Sequence, residues 1–419
     1  MPSHPFAKGH DPAALSALTS GEQTAFDAIP RTGSMKIVSP RASYHADPAS
    51  VATLLPPMPA DDSRQTAAEL TETFLAVKAA DVPFASYGAP QGADPLLAYG
   101  ADHKGPPLGP LQFRYSSGHV GPYVSQFLHV KVPFGKNGAT LDQRLPLRTG
   151  FYGTTTATRD QILRGNVPVA QTLGSPCYMH NGRALASYVH QDPPYLFGLY
   201  AALICDAVTS RSSLFPPLKN ESGFVTYGGA MDVQCALAEV VRLAMQAAWC
   251  AKFRLFRRRR PEELFADQAR LHPDFALLSG PTVASANSCM PMLYAEGSPG
   301  HSDYPSGHAV IGGAVATLLK AFYKDEPWTA APLHSRDGKT QEVYLNCPPL
   351  SVHGELDKLA SNYGWGRIFA GIHFRSSCAG GMALGESVAI GYLNRMLMES
   401  YEPLGTVAFT KFDGQPIMI

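Results

Sequence analysis

The 419-residue sequence lacks an excess of either charge, a run long enough to cross a bilayer, and any paired cysteine motif. Its 34 basic and 34 acidic residues cancel to a formal net charge of zero. No global field therefore steers nucleic acid to it, and any basic cluster has to be judged locally. The longest apolar runs, such as 195–205 and 309–319, fall well short of a membrane span. The opening MPSHPFAKGHDPAAL has no apolar stretch of the kind a secretory signal needs. A soluble chain is expected, with no compartment indicated. Seven cysteines are scattered without a CxxC pair, which fits neither a zinc ribbon nor a small disulfide scaffold. Several stand in apolar helical context and read as small buried hydrophobes.

What the chain does have is a 45% hydrophobic content, ample for a sizeable core. Residues 1–62 are rich in Pro, Ala, Ser and Asp with weak periodicity, and read as an extended arm that must lie on protein to be ordered. From Asp61, DDSRQTAAELTETFLAVKAADVPF has helical spacing and stops near Pro83. Residues 87–155 are irregular and rich in Gly and Pro. Helical signals return at 195–208, 231–260, after Pro305, at 355–370 and at 380–400. The tail VAFTKFDGQPIMI alternates around Asp413-Gly414 and predicts a β-hairpin. The expectation is an all-α protein of helical bundles, two four-helix-bundle-like units in a single domain over 63–419, with the N-terminal arm and the C-terminal hairpin appended.

The strongest helical pattern, residues 231–264, ends in a cluster of cations: Lys252, Arg254 and Arg257 to Arg260, followed by Pro261. Pro261 is expected to end or kink the helix. Arg257 and Arg258 read as a solvated helix C-terminus, favoured by the macrodipole. Lys252 interrupts the apolar AAWCAKF, and either snorkels or meets a buried anion. Downstream, HSDYPSGHAVIGG opens an apolar helix with Ser306, Gly307 and His308, and GWGRIFAGIHFRSSCAGG carries Arg367 and His373. Taken together, three cations, a hydroxyl, a helix-start amide and two imidazoles describe a cage for a tetrahedral oxyanion. A second Ser-Gly-His, at 117–119, has no apolar helix after it and is set aside.

Lys-x7-Arg-Pro from Lys252 to Pro261, Pro-Ser-Gly-His at 305–308 and Arg-x5-His from Arg367 to His373, in that order, resemble the vanadium-dependent haloperoxidases. That family shares its anion site with the type 2 phosphatidic acid phosphatases. EGSPGHSDYPSGHA, YVHQDPPY, GPYVSQFL and GIHFR…LGE extend the resemblance to the algal and bacterial members.

The resemblance implies vanadate as cofactor, with the anion site in 252–373. Lys252, Arg260 and Arg367 would neutralise its oxygens, Ser306 and the Gly307 amide would hydrogen-bond it, and His373 would supply the bond to vanadium. His308 would be the acid–base group for peroxide. The implied reaction oxidises halide with hydrogen peroxide to a hypohalous species that halogenates a small organic substrate. His301 stands five residues before Ser306, where many bromide-oxidising members carry histidine and fungal chloride-oxidising ones phenylalanine. Bromide and iodide are therefore expected over chloride. Ala251 stands where some algal enzymes carry arginine. Asp192 most simply caps the helix after it, with Pro193 at its first position; by resemblance it would be a carboxylate hydrogen-bonded to His308.

The chain also departs from the family pattern. Ser377 stands four residues after His373, where phosphatase relatives and many haloperoxidases carry an aspartate that in the phosphatases orients the histidine. Gly366 replaces the serine common before the phosphatase arginine. Arg259 would give the shorter phosphatase spacing to Lys252, but Arg260 precedes the proline and is preferred. Two rivals stay open at this stage: an acid phosphatase using the same cage, and a vanadium-independent homologue such as a biosynthetic isomerase or anion binder. Algal and bacterial relatives assemble as homodimers or larger, so at least a homodimer is expected, with Phe26, Ile29 and Val38 of the arm on the partner subunit or bridging the interface; the alternative is an arm wrapped round its own subunit.

Overall fold

The computed structural model describes residues 40–86, 121–135, 137–163, 166–167, 170–190, 194–216, 226–267, 289–401 and 403–419, with isolated positions at 24, 223, 271–273 and 275. Phe26, Ile29, Val38, Asp192, Pro193 and the 117–119 motif lie outside the described residues. The described part of the arm is not extended. It forms a 3-10 turn, Pro40–His45, and a short helix α1, Pro48–Thr53. Asp47 caps α1 by accepting the Ser50 N–H at 2.8 Å, and Pro48 takes the first helical position, where its missing N–H costs nothing.

Helix α2, Arg64–Lys78, is capped by Ser63, whose Oγ accepts the Thr66 N–H at 3.1 Å. Its buried face carries Leu70 and Phe74, and also Glu69 and Glu72. Then follow α3 (Thr156–Leu163), α4 (Gly182–Tyr188), α5 (Pro194–Val208) and α6 (Ala230–Cys250). Short antiparallel pairs, Val132–Pro133 with Thr140–Leu141 and Leu145–Arg148 with Leu173–Cys177, lie in or border the stretch that read as irregular.

The long helix ends earlier than its sequence suggests. After Cys250 the chain makes a π-helical turn, Ala251–Leu255, and at Phe256 it becomes extended. Pro261 therefore does not end this helix; it opens the next, α7 (Pro261–Ala266), with Arg260 as its cap residue. The extended stretch changes the side-chain period from 3.6 to 2, so alternate residues face the same way. Arg258 and Arg260 turn inward and are fully buried, while Arg257 stays exposed. The solvated reading thus holds for Arg257 and fails for Arg258.

Helix α8, Gly307–Phe322, is the axis of the fold: every residue from Ala309 to Phe322 is buried. A helix apolar on all sides has to be enclosed, and α5, α6, α9 (Val352–Phe369) and α10 (Arg375–Glu399) pack around it. The approach of α8 to α10 requires glycine. A Cβ on Gly313 would enter the Met382 backbone, and one on Gly385 the Val310 carbonyl. The one lysine on α8, Lys320, donates to Asp357 at 2.8 Å and to the Thr410 carbonyl at 2.7 Å. The second of these ties α8 to the C-terminal hairpin, Ala408–Thr410 with Pro416–Met418, which turns at Gly414 with φ of 82°. No disulfide joins the seven cysteines, five of which are buried. Among the described residues no helix is long and apolar enough to cross a membrane.

Candidate active site

Ser306 occupies the cap position of α8 but does not cap it. Its N–H is tied to the Ser377 carbonyl at 2.9 Å, and its Oγ is buried without a hydrogen-bond partner, beside only the weakly polar Cys378 thiol. A Cβ added to Gly307 would meet only Met245, at 3.5 Å. No protein neighbour demands glycine there; the bare backbone leaves space at a helix end whose amides have no intrahelical acceptors. His308 lies in the first turn, half-buried, its ring 6.2 Å from that of Phe197.

Three cations converge below this helix end. Lys252 does not snorkel: the π-helical turn buries it, and its Nζ donates to the carbonyls of Ser302 and Asp303 at 2.8 and 3.0 Å. Burial, then the neighbouring Arg260, holds its pKa well below the usual ammonium range. Arg260 donates through Nε to the His301 carbonyl at 3.0 Å and through Nη1 to Ile372 O at 2.7 Å. Burial brings it down to about 10. Arg259 faces away, paired with Asp61 at 2.8 Å and Asp267 at 3.0 Å, so Arg260 is the member of the pair inside. Arg367 reaches the Val189 carbonyl at 2.7 Å through Nη1, while its Nε is buried with no partner. Gly366 permits this, since a Cβ there would lie 2.7 Å from the Leu185 carbonyl.

His373 closes the group. Its Nε2 lies 3.0 Å from Arg260 Nη1, and its Nδ1 lies 2.7 Å from Asp303 Oδ1. Asp303 Oδ2 accepts a short hydrogen bond from Ser377 Oγ and lies 3.8 Å from Arg258. The carboxylate behind His373 thus comes from the loop before α8, and position 377 supplies a hydroxyl to it. Burial first, then Arg260 and Lys252, holds His373 far below the ordinary imidazole value. His301, with Nδ1 3.0 Å from Arg260 Nη2 and its ring edge-on to Trp249 at 4.9 Å, is held down by burial and by Lys252. Both imidazoles are therefore neutral near neutrality in a positive field.

Lys252, Arg260, Ser306, Gly307, Arg367, His373 and His301 converge on one place; the described residues do not include Asp192 to test its tie to His308. Sequence reasoning missed Asp303 and Arg258. Arg258 sits 4.0 Å over the Phe374 ring and pairs with Glu69 at 3.3 Å. The available signal was an acid inside HSDYPSGH and two glutamates among the apolar positions of TAAELTETFLAV, each a charge in want of a partner if buried.

A family model described as the VCPO second helical-bundle domain matches residues 235–399, which contain the whole cluster. A vanadium-dependent bromoperoxidase of Ascophyllum nodosum is 29% identical, over 92% of this chain and 77% of its own. One from Corallina pilulifera is 27% identical, over 87% and 76%. Over most of its length the chain is similar to the vanadium haloperoxidases. A solved member, the homohexameric second vanadate-dependent bromoperoxidase of Ascophyllum nodosum, has a TM-score of 0.81 at 21% identity, and covers all of this chain and 81% of that one. At that identity the match speaks for the vanadium haloperoxidase fold alone.

Proposed function

We propose that the protein is a vanadium-dependent haloperoxidase, oxidising bromide or iodide in preference to chloride with hydrogen peroxide, and that the cluster around Ser306 is its vanadate site. The observation that carries this is a pair of buried donors, Ser306 Oγ and Arg367 Nε, without protein partners beside three buried cations. Buried polar groups of that kind are costly unless a ligand satisfies them. A small oxyanion fits: the two unpartnered atoms, Ser306 Oγ and Arg367 Nε, are donors, and Lys252 and Arg260 are cations.

Lys252, Arg260 and Arg367 would hold the anion's oxygens, with Ser306 Oγ and the Gly307 amide as further donors and His373 Nε2 as the protein's ligand to the metal. Vanadate in such a site supplies a Lewis acid that activates peroxide toward halide. His308, at the helix start, would pass a proton to or from peroxide oxygen, and His301 with Trp249 would border the halide. Asp192 is proposed to orient His308. The phosphatase alternative has no observation in its favour, since the serine of that pattern would collide with α4 at Gly366. Assembly as a homo-oligomer is proposed from the homohexameric relative, and sedimentation of the full chain tests it.

The test is elemental analysis after orthovanadate loading, with bromide and chloride oxidation assays. Halide-dependent peroxide turnover should appear with vanadate and disappear in excess phosphate, a competing tetrahedral anion. Equal activity in vanadium-free, phosphate-saturated protein would sink the assignment. His308→Ala should slow turnover by about 10² or more while vanadate still binds.

A further inference from the structure

Arg260 Nη1 lies 3.0 Å from His373 Nε2 and 3.4 Å from Nδ1, against the ring and in line with neither lone pair, so it does not choose the tautomer. Asp303 does: an ionised carboxylate only accepts, so the ring proton belongs on Nδ1, where Asp303 Oδ1 receives it at 2.7 Å. The other carboxylate oxygen is held by the Ser377 hydroxyl, with Arg258 at 3.8 Å. Arg258 Nη1 also lies 3.3 Å from Ser377 Oγ, so the same guanidinium serves both positions. The aspartate and the serine come from different elements, 74 residues apart, and meet behind one imidazole. We infer that Asp303 is the positioning residue for His373, fixing the Nδ1–H tautomer that leaves the Nε2 lone pair for a metal, and that Ser377 and Asp303 are interchangeable partners in this role. The inference rests on the vanadate reading of the site, but its geometry stands without the anion.

Two measurements on the full chain test it. The first is the nitrogen spectrum of 15N-histidine-labelled, anion-free protein, with His373 assigned by the signal lost in His373→Ala. His373 should show the Nδ1–H tautomer, and Asp303→Ser should abolish that preference. The second is vanadate affinity by equilibrium dialysis. Asp303→Ser should weaken it by about 10- to 100-fold, the usual effect of removing a ligand's supporting carboxylate. The exchange Asp303→Ser/Ser377→Asp should restore it to within about threefold, because the carboxylate again sits beside the imidazole and Arg258. An Nε2–H tautomer in the wild type overturns the proposal. So does a single variant that binds as the wild type does, or a double variant no better than the single, including a single variant that fails to fold. A wild-type chain that takes up no vanadate overturns the reading of the site instead, and the tautomer alone then decides the role of Asp303.

Discussion

Ser306 is a buried hydroxyl that no protein group satisfies, and a side chain of that kind serves binding more than folding. Ser306→Ala should leave urea-unfolding stability unchanged or slightly higher, because an unsatisfied group is removed. Vanadate affinity should fall by roughly 10-fold or more, the worth of a charge-assisted hydrogen bond. Arg258 is the opposite case. Its guanidinium is fully buried between Glu69, Asp303 and the Phe374 ring. Arg258→Met should cost about 3–5 kcal/mol in urea unfolding by stranding two buried carboxylates. Its exposed neighbour Arg257→Met should stay within about 0.5 kcal/mol. The four consecutive arginines did not reveal this difference in one dimension. The residues proposed for the anion cage could be singled out because their types and order match a known chemistry, whereas Arg258 and Asp303 depend on a backbone that leaves the helix and on a loop whose path no local pattern encodes.

Helices were legible where apolar spacing continued, and their ends were legible where a cap or proline stood. Ser63, Ser351 and Pro194 each begin a helix within a few residues of the place expected. The end of α6 was not, because the π-helical turn answers to Lys252 reaching the Ser302–Asp303 carbonyls and not to local propensity. The contact between α8 and α10 gives a sharper test at this scale. Gly385→Ala should destabilise by roughly 1–3 kcal/mol through overpacking against α8. Gly391, on the same helix, has nothing within 4 Å of an added Cβ. Gly391→Ala should stabilise by about 0.4–1 kcal/mol. Thermal unfolding of the two variants side by side checks both signs.

For the whole molecule, histidines held below their ordinary pKa set the acid limit, among them His129, His301 and His373. His129 is brought down to about 3 by burial, and His301 and His373 lie well below the usual value. The unfolded chain takes up these protons near pH 6.5 and the folded one does not, so stability falls as pH drops below about 6.5, by up to about 1.4 kcal/mol per pH unit for each histidine. His129→Gln should reduce that slope by about one proton between pH 6.5 and 5, as read by urea unfolding at several pH values. A bound oxyanion at 100 times its dissociation constant should add about 2.7 kcal/mol.

The order in which the chain is made follows from where the cage finds its partners. Lys252 bonds to carbonyls 50 and 51 residues further on, and Arg260 to Ile372 and His373, 112 and 113 further on. Both cations therefore leave the ribosome well before anything that will hold them. The loop carrying Asp303 and the junction of α9 with α10 are both translated later. If the site takes vanadate as proposed, cofactor uptake is closed to a nascent chain until His373 has emerged. A chain truncated after Gly366 is expected to retain no vanadate in equilibrium dialysis, however much of its earlier helical structure it keeps.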